Sequence, residues 1–314
     1  MKSRLPTPAP RGICAVVVTF HPDAGFAERL RRIEDQVGGV IVVDNASSEE
    51  ARGRLTRLRD AGRFELLEME ENLGIAAALN RGLSRASDRG FRWVITFDQD
   101  SMANENLVAT LVSIHAAHPN RERLALVGAN YEEEETGKTG TPKRRKRRGS
   151  YIEVDHVITS GCLQSTDVFH EIGPYREDLF MYCVDNEYCA RARLAGYLVA
   201  LASRPLMRHR TGHQVRHNVG FTSVTTANYA PWRYYYIVRN GLLVARRYAF
   251  VDTLPAMRHT YGIMKRALLA LALESDRGEK LRYIARGIGD GLLGKSGKLR
   301  EATREENGVQ AAEP

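Results

Sequence analysis

The chain has no apolar run long enough to cross a bilayer. Its longest, Ala267 to Leu273, falls far short of the roughly 18–20 residues a membrane span needs. Cysteine is scarce: Cys14, Cys162, Cys183 and Cys189 are scattered, with no C-x-x-C pair and no Cys/His metal spacing. This excludes a disulfide scaffold or zinc ribbon and predicts inert thiols in a reducing compartment. Residues 1–11 carry Pro6, Pro8 and Pro10 but no apolar core, so they read as a flexible tail and not as a secretory signal. The basic run Lys143 to Arg148 lacks interleaved aromatic residues, which argues against nucleic acid. These absences predict a cytoplasmic protein, soluble or at most peripheral at the inner face of the membrane.

What is present is ordinary in bulk and skewed in charge. The 314 residues are 43% hydrophobic and 27% charged, enough for a sizeable core. A net charge of +8 calls for an anionic partner: a nucleotide, nucleic acid or a membrane surface.

Apolar runs and helical periodicities alternate along the first 130 residues. Ile13 to Phe20, Val40 to Val43, Phe64 to Leu67 and Arg92 to Phe97 read as strands, the first continuous enough to be covered on both faces. Phe26, Leu30, Ile33 and Val37 mark one helix, Leu55 and Leu58 a second, and the small residues of Ile75 to Gly82 a third that can approach the sheet closely. A helix through Leu107, Leu111 and Ile114 and a strand from Leu124 to Ala129 follow. Such alternation predicts an α/β fold with a doubly wound, mostly parallel sheet. Residues 131–150 read as a charged exposed loop. Beyond it come a short helix, a helix from Asp185 to Gly196, a strand from Tyr197 to Ala202, and a helical C-terminal region over 229–300. Residues 301–314 form a flexible tail.

The stretch with most chemical content is Asp98-Gln99-Asp100, at the end of the fourth strand. In an open α/β sheet the carboxyl ends of the strands line the ligand crevice. Two carboxylates there repel unless a cation lies between them, and carboxylate oxygens suit Mg²⁺ or Mn²⁺ while leaving positions for phosphate. Taken alone, the tripeptide reads more readily as a solvated turn after a strand. Asp44, just past the second strand, reads from propensity as a helix N-cap with Asn45 and Ser47 nearby.

In order, Val16 to Pro22, Val43-Asp44-Asn45-Ala46-Ser47, Asn72 to Gly82 and Phe97 to Asp100 resemble the nucleotide-sugar half of family 2 inverting glycosyltransferases with the GT-A fold. The resemblance continues through Thr159-Ser160-Gly161, Leu179-Phe180, Asp185 to Arg191 with Gly196-Tyr197, and His209 to Gly212. Tyr235 to Asn240 and Gly289 to Lys298 look like the bacterial rhamnosyltransferase branch. The resemblance implies a GT-A-like sheet with a helical C-terminal extension, a nucleotide-sugar half over 12–130 and an acceptor-binding, catalytic half over 151–228.

It also implies residue roles. Asp185 matches the family's base. Thr19, His21, Asp44, Asn72, Gly74, Asn80, Asp98 and Gln99 would serve the nucleotide-sugar. Asp100, Asp98 and His209 would hold a divalent cation, Mg²⁺ or Mn²⁺. Ser160, Gly161, Phe180, Glu187, Arg239 and Asn240 would meet acceptor or diphosphate. The usual Glu-Asp pair is Val184-Asp185 here. The activity implied is transfer of L-rhamnose from dTDP-rhamnose to a glycan or lipid-linked glycan, with an anionic membrane surface as a further partner and no nucleic acid. Rival expectations are a galactofuranosyl or other hexosyltransferase using a UDP-sugar, and a non-catalytic module that binds anionic surfaces. A sugar-1-phosphate nucleotidyltransferase would need a glycine- and arginine-rich loop after the first strand, which Thr19 to Asp23 is not.

Overall fold

The computed structural model describes residues 5–140, 147–210, 212–220 and 222–299. Lys143 to Lys146 of the basic run and the expected tail 301–314 lie outside the described residues. Two compact units are present. The first holds the described residues up to Arg176 together with Asp185–Arg210; the second holds Glu177–Val184 and the described residues after Arg210. The expected division at 228 therefore falls at 210.

Unit 1 is built on one mixed sheet. Its strands are β1 (Ile13–Thr19), β2 (Gly39–Asp44), β3 (Phe64–Glu68), β4 (Trp93–Asp98), β5 (Met102–Ala103), β6 (Leu124–Glu133), β7 (Arg147–Arg148), β8 (Tyr151–Glu153), β9 (Cys162–Ser165) and β10 (Leu198–His209). Their order is β3-β2-β1-β4-β9-β6-β10-β8-β7, with β5 beside β10. β1 pairs in parallel with β2 and β4, and β6 with β10. β9, absent from the strands expected, lies antiparallel between β4 and β6. Two successive inversions restore direction, so β1, β2, β4, β6 and β10 all point their carboxyl ends to one edge. Register levels that edge: Thr19 faces Asp44, and Val18 faces Asp98.

The helices of unit 1 are α1 (Phe26–Glu34), α2 (Glu49–Ala61), α3 (Ile75–Asp88), α4 (Leu107–Ala117), α5 (Thr166–Ile172) and α6 (Val184–Leu194), whose first residue belongs to unit 2. Every residue of β1 is buried, as expected of a strand covered on both faces. Close approach of α3 is real: a Cβ on Gly82 would sit 2.3 Å from Val16 Cγ1 and 3.2 Å from Val43 Cγ2. The four cysteines are free and buried, and burial pushes the Cys14 and Cys189 thiols up to about 12.

The N-terminal segment is not a loose tail from Leu5 onward. Leu5 is buried and donates its N–H to Glu122 O (3.3 Å), and Trp93 Nε1 donates to Pro6 O (3.1 Å). A single leucine among prolines is enough to dock a segment whose extended form the prolines already impose. The charged excursion is also less open than expected. β6 continues through Glu133, whose buried carboxylate accepts from Thr136 N and Thr136 Oγ1 and closes a turn.

In unit 2, β11 (Val215–Val219) and β12 (Thr222–Thr226) form an antiparallel hairpin that was not expected. The helices are α7 (Pro231–Tyr248), α8 (Thr253–Leu273) and α9 (Arg277–Leu292). Glu274 and Lys280 form a buried ion pair at 2.8 Å, and Tyr234 donates to the same carboxylate at 2.8 Å. Burial pushes the Glu274 carboxyl up, but the Lys280 and Tyr234 hydrogen bonds outweigh it and hold it below its usual value.

Two stability predictions arise from unit 1. Gly82→Val forces α3 off β1 and costs about 2–4 kcal/mol in urea unfolding. His115, on α4, is fully buried against Trp93, and burial, helped by the neighbouring His118, takes its imidazole down to about 4. The unfolded chain binds this proton near pH 6.5 and the folded chain does not, so stability falls as pH drops from 6.5 to 4. The loss is on the order of 2–3 kcal/mol, and His115→Leu flattens that part of the pH profile.

Candidate active site

The carboxyl edge of the sheet gathers the acidic and polar residues of unit 1. Asp44 ends β2 fully buried. Its Oδ1 accepts from Thr19 Oγ1 (3.0 Å) and Ser47 Oγ (2.5 Å), and its Oδ2 from Ser47 N (3.0 Å). Asp44 is thus a turn-former, and the N-cap of α2 is Ser48, which accepts from Ala51 N. One hydrogen bond on Oδ2 leaves acceptor capacity there. His21 adjoins the same turn: its N–H donates to Ser47 Oγ (2.7 Å) and its Nδ1 accepts from Ser48 N (3.2 Å).

Asn72 accepts from Asn45 Nδ2 and Gly74 N (both 3.0 Å), while Asn45 Oδ1 accepts from Leu73 N (3.1 Å). The loops after β2 and β3 are therefore stitched together. Asn45 was not among the expected site residues, although it directly follows Asp44. Gly74 leads into α3 at φ 90° and ψ 169°, a conformation open essentially to glycine alone. Asn80 points elsewhere. Its amide donates to Tyr175 O (2.9 Å) and accepts from Tyr175 N (2.8 Å), so it pins the turn after α5.

Around the acidic motif several polar side chains tie the loop to the sheet. Gln99 exchanges a pair of hydrogen bonds with the Phe20 backbone (2.7 and 3.1 Å), tying the motif to the end of β1. Ser160, fully buried, donates or accepts with Ser101 Oγ (2.6 Å) and accepts from Asp98 N (3.1 Å). Ser101 in turn contacts His209 Nδ1 (3.0 Å). Gly161 sits at φ 68°, where a Cβ would meet Ala129 Cβ at 2.8 Å and Met207 Sδ at 2.9 Å. Ser160 and Gly161, expected at the acceptor, support the acidic loop from beneath. Ser101 was missed by sequence reading; its only signal was its place next to Asp100.

Asp98, Asp100 and His209 each offer a ligand atom, and these atoms lie within 4.8 Å of one another. The strands β4 and β10 bring them together across more than 100 positions of chain. Asp100 Oδ1 is shielded from water and accepts no well-aligned hydrogen bond, its nearest cation being His209 Nδ1 at 3.3 Å. An orphaned carboxylate oxygen beside a second carboxylate and an imidazole fits a divalent cation.

Electrostatics agree. Burial, reinforced by Asp100 and Asp185 against the pull of His209, pushes the Asp98 carboxyl up to about 6. Burial alone would lower the His209 imidazole, but Asp100, Asp98 and Glu133 outweigh it and hold it above its usual value.

Asp185 lies in the first turn of α6, partly exposed, close enough for its charge to be felt at Asp98 and Cys162. Glu187 takes a different course from the one expected. It is fully buried, paired with Arg191 through both carboxylate oxygens (Nε at 3.0 Å from each), and Arg191 also donates to Ile172, Gly173 and Pro174 carbonyls. Glu187 is enclosed with its partner and has no surface for an acceptor.

Phe180, Arg239 and Asn240 belong to unit 2, and all three are buried there. Phe180 stacks on Tyr236, ring centroids 5.2 Å apart. Arg239 donates to Gly297 O (2.5 Å), Leu179 O (3.2 Å) and Asn240 Oδ1 (2.9 Å). Asn240 Nδ2 donates to the carbonyls of Leu179 (2.8 Å), Met181 (2.5 Å) and Tyr182 (3.1 Å). These bonds clamp a segment in which Phe180, Tyr182 and Cys183 all have positive φ. Arg239 and Asn240 engage backbone where diphosphate or acceptor was expected.

With this geometry in hand, comparison with known proteins is decisive on one point. The profile of the family described as Glycosyl transferase family 2 matches residues 14–173. The chain belongs to this family. It is 26% identical over 298 residues to the dTDP-rhamnosyl transferase RfbF of Shigella flexneri, covering 91% of this chain and 97% of that one. Among solved structures, residues 1–349 of S. aureus TarS in complex with UDP-GlcNAc match with a TM-score of 0.57 at 15% identity, covering 89% of this chain and 80% of that one. This chain spans 48% of the longer TarS chain. The mannosyltransferase PcManGT from Pyrobaculum calidifontis, in complex with GDP-Man and Mn²⁺, matches with a TM-score of 0.56 at 14% identity, covering 93% and 90%. At such identities the structures speak for the fold alone, and it is the GT-A-like architecture expected.

The clamp on residues 179–182 carries a prediction. Asn240→Ala removes the amide donor from the Met181 and Tyr182 carbonyls beside strained backbone, and is expected to cost about 1–3 kcal/mol in urea unfolding. A ligand-contacting side chain would leave stability unchanged and weaken binding instead.

Proposed function

We propose that this chain transfers L-rhamnose from dTDP-β-L-rhamnose to a hydroxyl of a glycan or lipid-linked glycan, with inversion to an α-linkage, in cell-surface polysaccharide synthesis. The observation that carries the sugar is the near full-length alignment with a dTDP-rhamnosyl transferase. The observation that supports the chemistry is the convergence of Asp98, Asp100, His209 and the field of Asp185 at one sheet edge.

The residue roles follow from that edge. Asp44, held by Thr19 and Ser47, offers its second oxygen to the imide N–H of the thymine ring, with His21 beside it. The Asn45–Asn72 stitch and Gly74 shape the loops around the nucleoside. Asp100, with Asp98 and His209, holds Mg²⁺ or Mn²⁺. When bound, the cation offsets the charge that grows on the leaving diphosphate, so no protein acid needs to protonate it. Asp185 takes the proton of the acceptor hydroxyl. The oxygen so freed bonds to the anomeric carbon on the face opposite the diphosphate, whose bond to that carbon breaks with the electron pair. The enzyme works in the cytoplasm, at the inner face of the membrane where a lipid-linked acceptor is held.

Thermal unfolding against dTDP, UDP, GDP and ADP, each with and without Mn²⁺, tests the reading. dTDP with metal is expected to raise the midpoint most, by the mass action of a ligand that binds only the folded chain. Asp100→Ala should remove the metal-dependent part. Asp185→Asn should keep the dTDP response while slowing transfer by about 10²–10⁴-fold. A preference for UDP replaces rhamnose with a UDP-hexose and leaves the transferase; silence to every nucleotide overturns the reading.

A further inference from the structure

Helix α8 is amphipathic in an inverted sense. The residues it buries are small: Ala256, Ala267 and Ala270, the last two packing with Ile237 and Val238 of α7. Ile263 and Leu271 pack against the same cluster, while a second set of larger apolar side chains faces outward. Leu254, Met257, Tyr261, Met264 and Leu268 are each 59–69% exposed. They recur at alternating steps of three and four, which keeps them in one line along the helix. From Leu254 to Leu268 that line runs for about 21 Å. Phe250, in the turn that precedes the helix, is 94% exposed. A continuous apolar stripe of this size marks an interaction surface and not the scattered leucines of an ordinary exterior.

Two occupants suit such spacing: a second copy of the helix, or the boundary between lipid headgroups and acyl chains. Charge decides between them. α8 contains no Asp or Glu, while Arg258 and Lys265 flank the stripe and Arg266 follows. In a helix dimer the flanking positions carry complementary charges; two copies of α8 would bring cation against cation. An anionic bilayer meets both features, since the apolar side chains enter the boundary and the cations meet phosphate. No described helix is long and apolar enough to cross a membrane, so α8 would lie in the plane of the surface.

We infer that the outward face of α8 is an in-plane docking surface for anionic phospholipid. The inference rests on the membrane-side location proposed above and supplies the surface for it. It differs from an attachment through Lys143 to Arg148, because its energy comes from the apolar stripe as well as from charge.

The test is co-flotation of the full chain with vesicles of phosphatidylcholine alone, or of equal parts phosphatidylcholine and phosphatidylglycerol. The wild type is expected to float with the anionic vesicles and to stay behind with the neutral ones. The triple variant Met257→Ser, Met264→Ser, Leu268→Ser is expected to lose binding by about tenfold or more, since it removes three inserted side chains. Lys265→Glu with Arg266→Glu should also release the protein. All five changed side chains are exposed, and retention of the dTDP thermal response in each variant separates lost docking from lost fold. Failure of the wild type to float, or equal flotation of the triple variant, overturns the inference. So does light scattering that shows a wild-type dimer converted to monomer by the triple variant, which would give the stripe to a second copy. Flotation as expected with no nucleotide response upholds the docking surface and overturns only the donor reading.

Discussion

Like charges held together at the sheet edge are the constraint around which unit 1 is organised. Asp98 and Asp100 present oxygens within 4.8 Å, where two full charges in a partly screened site repel by roughly 3 kcal/mol. Asp185 adds to the same field. Left to itself, such a loop would splay. It is held by bonds that do not touch the charges: Gln99 to the Phe20 backbone, Ser160 to Asp98 N, and Ser101 between Ser160 and His209. The imidazole of His209 lies beside these carboxylates, which raise its proton affinity against the effect of burial. A divalent cation held there, as proposed above, would neutralise the carboxylates with more charge and directed coordination.

The scaffold that makes this possible is a matter of strand direction. Parallel strands from opposite ends of the chain must deliver their carboxyl ends to one level, and β9 achieves it by entering antiparallel between β4 and β6. The same insertion places Ser160 and Gly161 under the acidic loop. In unit 2 a comparable device appears in another form. Three non-glycine residues at positive φ are kept in place by the amide of Asn240, with Arg239 behind it. The strained segment ends one residue before α6 begins, and α6 carries Asp185 at its head.

Sequence alone shows the layers of the fold well and its stitching poorly. β1, β2 and β4 were legible because strands buried on both faces read as unbroken apolar runs, and α3 because its alanines and Gly82 admit close packing. β9 was not, since Cys162 to Ser165 is four residues with no alternation. The hairpin of β11 and β12 is polar and carries no burial signal at all. Among the candidate site residues, Asp98, Asp100 and His209 are brought together at the sheet edge, with Asp185 close enough for its charge to be felt at Asp98. Amides and hydroxyls misled. Asn80, Ser160 and Asn240 have the same composition whether they face a ligand or a carbonyl, and only the fold reveals that each binds backbone. Glu187 misled for a related reason: its partner Arg191 is four residues on, and pairing of that kind is as common in helices without a site.

The distribution of charge also bears on what the site can accept. The chain carries a net charge of +8, which draws anions toward it, yet the sheet edge where the polar loops converge is locally acidic. A bare nucleoside diphosphate would arrive to find three carboxylates. On the proposed function, the same diphosphate would arrive with a divalent cation for Asp98, Asp100 and His209 to hold. Such an edge would, on that reading, favour the metal–nucleotide complex over the free nucleotide. The surplus positive charge is left to the exterior, where α8, with cations and no acidic residue, carries part of it. On the two proposals made above, an acidic centre inside a basic protein would keep two kinds of phosphate apart: one bound through a metal, the other met directly by lysine and arginine at a surface.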